Sequence, residues 1–324
     1  MSQDEMPSGA AHEFATAVMI GLSDRPRWLP CRYLYDETGS LLFDEICRTP
    51  EYYLTRTESA ILAESSGAIS EETGPVTLVE LGSGSAGKTG HLLDAYARLD
   101  PGTRYVPVDV SQSALEIAAR AMRARNPGLD IAPVHGTYDA AFPLLAAASP
   151  AMLVFLGSTI GNFNQTEAAA FWRKAATHLA PGDFALVGVD LVKDAALLNS
   201  AYNDAAGLSA RFTKNIFARM NRELGAALDL DQIDHVAAYN PEWQRVEIYA
   251  CFVRAQAIRL APLGRTIRVE AGDRVMTEIS RKFVLEDLEQ YLACFGLQVR
   301  RVFCDPRRWF AEVLLQNVKG FPAP

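Results

Sequence analysis

Cysteine, histidine and positive charge are all scarce in this 324-residue chain, and each shortage removes a class of function. The five cysteines, Cys31, Cys47, Cys251, Cys294 and Cys304, are scattered, odd in number and without C-x-x-C spacing. That excludes a disulfide framework and fits reduced thiols, mostly buried as small apolar groups. The five histidines (His12, His91, His135, His178, His235) lack ligand spacing, so no metal site is expected. Acidic residues outnumber basic ones by 39 to 31, and the formal charge of -8 argues against a nucleic-acid partner. The basic stretches at Arg120–Arg125 and Arg300–Arg308 are short and broken by apolar residues, which suits solvated faces. No apolar run approaches the roughly 20 residues that span a bilayer. The opening Met-Ser-Gln-Asp-Glu lacks the layout of a secretory signal, so a cytoplasmic, non-membrane protein is expected.

What is present is ordinary globular material, 49% hydrophobic and 22% charged, enough for one large domain or two. Its middle alternates short apolar runs with helical patterns, the mark of a parallel sheet covered by helices. The strands are expected at Val76–Leu81, Tyr105–Val110, Ile131–Val134, Met152–Gly157 and Phe184–Asp190. Helices are expected at Thr89–Leu99, Ser111–Arg125 and Thr166–Leu179. Towards the end the order changes to a helix, Leu285–Phe295, then strands at Leu297–Phe303 and Trp309–Val318 around the turn Asp305-Pro306. A helix and terminal hairpin complete a Rossmann-like, seven-stranded methyltransferase sheet in an α/β fold. The core is assigned to 61–195 and 284–324. A discontinuous α+β substrate domain, or lid, is assigned to 1–60 and 196–283, with one long helical run over Ala195–Gly225.

The stretch Glu80-Leu-Gly-Ser-Gly-Ser-Ala-Gly-Lys-Thr89 fits two fingerprints. From Gly82 it reads as a P-loop, with Lys88 for phosphates, Thr89 for a metal and Asp190 as a possible second acid. From Glu80 it reads as a strand ending in an acid, followed by the tight turn Gly82-x-Gly84. The next strand ends in Asp109, where an acid takes the ribose hydroxyls of a nucleoside. A carboxylate at the mouth of a triphosphate site repels the ligand, whereas beside a sulfonium it is welcome. The acids thus favour S-adenosylmethionine, with an ATP-using P-loop enzyme as the remote alternative.

Other motifs are more specific. They are Tyr35-Asp-Glu-Thr-Gly-Ser40 leading to Leu42-Phe43-Asp44, and Pro50-Glu-Tyr-Tyr-Leu-Thr-Arg-Thr-Glu58. Gly157-Ser-Thr-Ile-Gly-Asn-Phe163, Gly188-Val-Asp-Leu-Val-Lys-Asp194 and Ala201-Tyr-Asn-Asp-Ala-Ala-Gly207 follow, then Asn221-Arg-Glu-Leu-Gly225 and Thr277-Glu-Ile-Ser-Arg-Lys282. In this order, over roughly residues 12–318, the chain closely resembles the histidine Nα-methyltransferases of ergothioneine biosynthesis.

The resemblance implies an S-adenosylmethionine-dependent enzyme that methylates the α-amine of L-histidine three times, giving hercynine. It implies cofactor contacts at Gly82, Lys88 and Asp109. With the loop reading, the cofactor set becomes Glu80, Gly82, Gly84, Lys88, Asp109, Thr137, Tyr138 and Gly157. Asn162 and Tyr202 are implied to hold the amino-acid backbone, chiefly its carboxylate. Tyr52, Glu278 and Ser280 are implied to grip the imidazole, and Tyr35 to lie near the amine. Tyr35 and Asn162 are therefore the catalytic pair, Tyr35 as a proton relay to water. If their segment is extended, Glu278 and Ser280 point to one face and together match an imidazole edge.

Two positions depart from the family pattern. Thr137 stands where an acid usually precedes an aromatic, so adenine is expected at Thr137, Asp139 or a backbone carbonyl. Ile248 replaces a methionine near the substrate side chain, reshaping that wall. Another amino acid or amine as methyl acceptor on the same scaffold is the nearest alternative. The expected partner is a small molecule, and a monomer is expected.

Overall fold

The computed structural model describes residues 9–84 and 87–318, without the side chains of residues 113 and 114. Ser85 and Ala86 of the glycine stretch thus lie outside the described residues. The chain divides into two compact units. The first joins Met1–Tyr52 to Asp194–Ile279, and the second joins Tyr53–Lys193 to Ser280–Pro324.

In chain order the elements begin with α1 (Gly9–Ser23), β1 (Arg27–Trp28), α2 (Glu37–Ile46) and α3 (Leu54–Thr73). They continue as β2 (Thr77–Leu81), α4 (Thr89–Leu99), β3 (Arg104–Asp109), α5 (Gln112–Arg125), β4 (Asp130–Ile131) and β5 (Val134–His135). Then come α6 (Phe142–Ala148), β6 (Ala151–Phe155), α7 (Gln165–His178), β7 (Phe184–Asp190), α8 (Ala195–Ala201) and α9 (Leu208–Leu224). The chain closes through β8 (Ile233–Asn240), β9 (Arg245–Phe252), β10 (Gln256–Leu260), β11 (Arg265–Val269), β12 (Arg274–Arg281), α10 (Leu285–Ala293), β13 (Leu297–Cys304) and β14 (Phe310–Asn317).

The second unit is built on a sheet ordered β13-β14-β7-β6-β2-β3-β4, with β5 also paired to β3. Strands β7, β6, β2, β3, β4 and β5 run parallel, while β14 and β13 are antiparallel additions. The edge expected at Ile131–Val134 is two short pieces, because Ala132-Pro133 interrupts the ladder and proline has no N–H to give. Alternate residues of each strand feed opposite cores. Val79, Leu153, Val187 and Val313 join Phe142, Phe171 and Leu292 from α6, α7 and α10. Leu78, Met152, Leu186 and Leu314 join Leu62, Leu92 and Met122 from α3, α4 and α5. With both faces covered, β6 and β7 are buried along their whole length. Helix α3 packs on α4 and β14, so the unit boundary falls before it, at Tyr52, rather than at residue 60.

In the first unit a sheet ordered β1-β12-β9-β8 is accompanied by the β10–β11 hairpin. Helix α9 presents Phe212, Ile216, Phe217, Met220 and Leu224 at helical spacing and packs on β8, β9 and α2. The helical run expected over Ala195–Gly225 breaks at 202–207. Gly207 takes φ +70°, and the Asp204 carboxylate accepts from the N–H groups of Leu208 (2.8 Å) and Ser209 (2.7 Å) to start α9. Tyr202 therefore lies just past the end of α8, not on a long helix.

Candidate active site

Each predicted residue can be followed from its element. In the second unit β2 ends in the turn at Gly82 (φ +67°) and Gly84 (φ +48°), conformations that a side chain would strain. Gly82 N–H donates to Val108 O at 2.8 Å, tying the turn to β3. Asp109, at the end of β3, accepts from Gly84 N–H at 3.0 Å and Ser111 N–H at 2.9 Å, one on each oxygen, and is half-buried. A Cβ on Gly82 would stand 3.5 Å from the Tyr138 hydroxyl, so that ring borders the turn. Tyr138 packs edge-on against Phe155 at 5.3 Å and is half-buried, and Thr137 is exposed. Asp139 pairs at the surface with Lys174.

Glu80 is turned inward instead of towards the turn. It is buried, accepting from Thr89 Oγ1 at 2.6 Å and from the Tyr105 hydroxyl. Burial pushes its carboxyl up to about 7 against these two hydrogen bonds. Thr89 is thereby occupied and itself buried. Lys88 forms an ion pair with Glu58, a fully buried acid on α3. A P-loop needs that threonine on a metal, whereas Thr89 is buried against Glu80, so the loop does not fit one.

Glu58 also accepts the Gly157 N–H, joining the lysine to the tip of β6. A Cβ on Gly188 would overlap Glu58 Oε1 and crowd Glu312 and Phe310, so a side chain there would displace the Glu58 carboxylate. Glu312 on β14 faces the same spot and is fully buried. Burial first, then the Glu58 charge, raises its carboxyl well above the usual range. Glu58 and Glu312 were not singled out as site residues from sequence, although Glu58 ends one of the motifs.

The tip of β7 carries a second buried charge network. Asp190 accepts from the Tyr53 hydroxyl at 2.9 Å on both oxygens, from Lys193 Nζ at 2.5 Å and from Lys282 Nζ at 2.8 Å. Burial pulls the Lys193 ammonium down to about 8, partly offset by Asp190. Lys282 also donates to Ser280 Oγ at 2.8 Å. Beside it runs the turn carrying Asn162, which is half-buried. Gly161 must be glycine there, because a Cβ would meet the Arg281 carbonyl at 2.9 Å. Sequence reasoning weighed Asp190 only as a metal acid. Its role shows in the two lysines near an apolar strand tip, which must be paired to be buried.

In the first unit four predicted residues form one cluster. The Tyr35 hydroxyl donates to Glu278 Oε1 at 3.3 Å. Tyr35 stands edge-on to Phe43 (5.6 Å) and Phe212 (5.2 Å), Phe43 to Tyr52 (6.0 Å), and Tyr52 to Tyr202 (5.9 Å). Tyr52 is buried, and its hydroxyl is held well above the ordinary tyrosine range by burial, then by Tyr202 and Cys47. It is a neutral phenol. The bend carrying Tyr35 is fixed because Asp36 caps α2 through Gly39 N–H (2.8 Å) and accepts from Asn215 Nδ2 at 2.7 Å. Tyr202 is fixed by His235, whose Nε2–H donates to its carbonyl at 2.9 Å while Nδ1 accepts from Thr213 at 2.9 Å. Burial lowers the His235 pKa, consistent with that neutral tautomer. Phe43, Phe212 and His235 escaped sequence reasoning. Only the position of Phe43 inside a motif pointed to one of them.

The donor set of the second unit suits a nucleoside with a charged amino-acid tail. It offers an open glycine turn, a half-buried carboxylate with one backbone bond per oxygen, an aromatic ring and a lysine. Together with the parallel sheet and its antiparallel terminal hairpin, it defines an S-adenosylmethionine-dependent methyltransferase. A provisionally assigned methyltransferase from Thermobifida fusca has a similar fold, with a TM-score of 0.50 at 13% identity over 96% of this chain and 99% of that one. The model of the histidine-specific, S-adenosylmethionine-dependent methyltransferases matches residues 14–317, and the chain belongs to that family. It is 42% identical to the histidine N-alpha-methyltransferase of Mycolicibacterium smegmatis over 92% of each chain. It is also 31% identical to ergothioneine biosynthesis protein 1 of Neurospora crassa over 86% of this chain and 32% of that longer one. No described helix is long and apolar enough to cross a membrane, and no described His/Cys/Asp/Glu group could hold a metal ion.

Proposed function

We propose that the enzyme methylates the α-amine of L-histidine three times, giving hercynine, and so performs the first step of ergothioneine biosynthesis. The observation that carries this reading is the cluster of Tyr35, Tyr52, Tyr202 and Glu278, drawn from four separate motifs. Glu278 and Ser280 stand two apart on β12 and take the imidazole with Tyr52. Asn162 and Tyr202 take the carboxylate. Gly82, Gly84, Asp109, Thr137, Tyr138, Gly157 and Lys88 hold the cofactor: Asp109 the ribose hydroxyls, Thr137 and Tyr138 the adenine, Lys88 the aminoacyl end. Glu80, buried against Thr89 and Tyr105, ties the start of α4 to β3 beside this set.

S-adenosylmethionine supplies an electrophilic methyl group on a positive sulfur. In each round the amine lone pair forms the N–C bond as the S–C bond breaks. An ammonium proton must leave before each attack, and Tyr35 relays it to water. Positioning is the main catalytic device, since no acid is needed to expel a neutral thioether. Polar oxygens from Asn162 and the tyrosines tolerate an amine that grows with each methyl group, where a tight salt bridge would not. We further assign the protein to the cytoplasm as a monomer without a nucleic-acid partner.

Titration of L-histidine in the presence of S-adenosylhomocysteine tests the assignment. Glu278→Ala should weaken histidine binding by about tenfold to a hundredfold and leave S-adenosylhomocysteine affinity nearly unchanged. Equal histidine affinity in the variant would remove Glu278 from the substrate site. Ile248, which stands where the family pattern has a methionine near the substrate side chain, is the departure that motivates the second reading, a different amino-acid acceptor. Turnover on a panel of amino acids decides between the two.

A further inference from the structure

Glu312 lies on β14 opposite Gly188 of β7 and Phe303 of β13, and it is fully buried. Neither of its oxygens meets an N–H or O–H donor among the described residues. What lies within hydrogen-bonding reach is the carboxyl of Glu58. The two acids meet at Gly188, where a Cβ would overlap Glu58 Oε1 and stand 3.2 Å from Glu312 Oε1. Glu58 has the partners of an anion, the Lys88 ammonium on Oε2 and the Gly157 N–H on Oε1. The charged groups that face Glu312 are Glu58, from α3, and Lys88, just before α4. Glu80, the next acid, has its own donors in Thr89 and Tyr105. One ammonium thus serves two buried carboxyls. An ionised Glu312 would stand beside another anion without a donor, the costliest way to bury an acid. A carboxylic acid, by contrast, has one O–H to give.

We propose that Glu312 is a positioning residue for the cofactor: as a neutral acid it donates its hydrogen to Glu58, leaving a single anion to hold Lys88 and Gly157. That bond fixes the Glu58 carboxylate, with Oε1 on the side of Glu312 and Gly157 and Oε2 on Lys88. A second anion would instead compete for the Lys88 charge, which the cofactor's carboxylate needs. The inference rests on the reading of Lys88 as the contact at the aminoacyl end. It adds the residue that orients that lysine and the proton this residue must carry.

The test is calorimetric binding of S-adenosylhomocysteine and of methylthioadenosine, which lacks the amino-acid end. Glu312→Gln keeps an N–H for Glu58 and should bind both ligands as wild type does. Glu312→Met keeps the volume without the donor. It should weaken S-adenosylhomocysteine about fivefold or more and leave methylthioadenosine nearly unchanged. The infrared difference between wild type and Glu312→Gln at neutral pH should contain the C=O stretch of a protonated carboxyl. A carboxylate band in its place would overturn the inference. Wild-type S-adenosylhomocysteine affinity in Glu312→Met would do so too, as would equal losses of both ligands, the mark of general damage. Unchanged S-adenosylhomocysteine affinity in Lys88→Met would overturn it by another route, removing the cofactor reading beneath it while the infrared band still reports the proton on Glu312. Should Glu312→Met fail to fold, Glu312→Gln decides: retained affinity with the acid band supports the inference, and lost affinity sinks it.

Discussion

Single residues in this enzyme are informative where charge is buried. Asp190 has three donors, two of them lysines, and no exposure. Replacing it with asparagine strands two ammonium groups in the interior, which should cost about 3–5 kcal/mol in urea unfolding. An unchanged midpoint would mean the lysines reach water. Glu80 adds a pH dependence with a definite sign. Its folded value of about 7 lies above the ordinary 4.5, so the folded state holds the proton more tightly. Its contribution to stability is complete below about 4.5 and is lost as pH rises to about 7. Glu80→Gln should therefore lose more stability against wild type at pH 5 than at pH 8. The opposite order would mean that the bonds from Thr89 and Tyr105 outweigh burial.

At the scale of elements, tight approach and capping decide. Gly188→Ala on β7 would push a methyl group into Glu58 and should lower both the melting temperature and cofactor affinity, because Glu58 also holds Lys88 and Gly157. Retained affinity would show that the Glu58 contacts are dispensable. Helix α7 begins with a capping box between Asn164 and Glu167, and Asn164→Ala should cost about 1 kcal/mol with activity kept. Elements of this kind were also the most legible in the sequence. The central strands are continuous apolar runs closed by Gly or Asp, because helices cover both faces. Strands β8 and β12 were missed because their burial alternates with charged residues such as Asp234, Glu278 and Arg281, and no single window is apolar. The break before α9 was written in Asp204 and Gly207, but the helical pattern on either side concealed it.

On the scale of the whole molecule, the motifs named a reaction before any contact was known. The family match over 14–317 bears that out. The aromatic cluster was half legible. Tyr35, Tyr52 and Tyr202 stand in motifs, whereas Phe212 lies in an ordinary helical stripe with nothing to mark it. The Asp190–Lys282 brace was illegible, since pairing between residues so distant in sequence has no local signature. Saturating S-adenosylhomocysteine should raise the melting temperature and ATP should not, as mass action requires of a ligand that binds only the folded state. A shift with ATP alone would revive the P-loop reading. The most direct measurement is mass spectrometry of L-histidine incubated with the enzyme and S-adenosylmethionine. The account predicts successive gains of one, two and three methyl groups, ending in hercynine. Unmodified histidine, with methyl groups appearing on another amino acid, would contradict it.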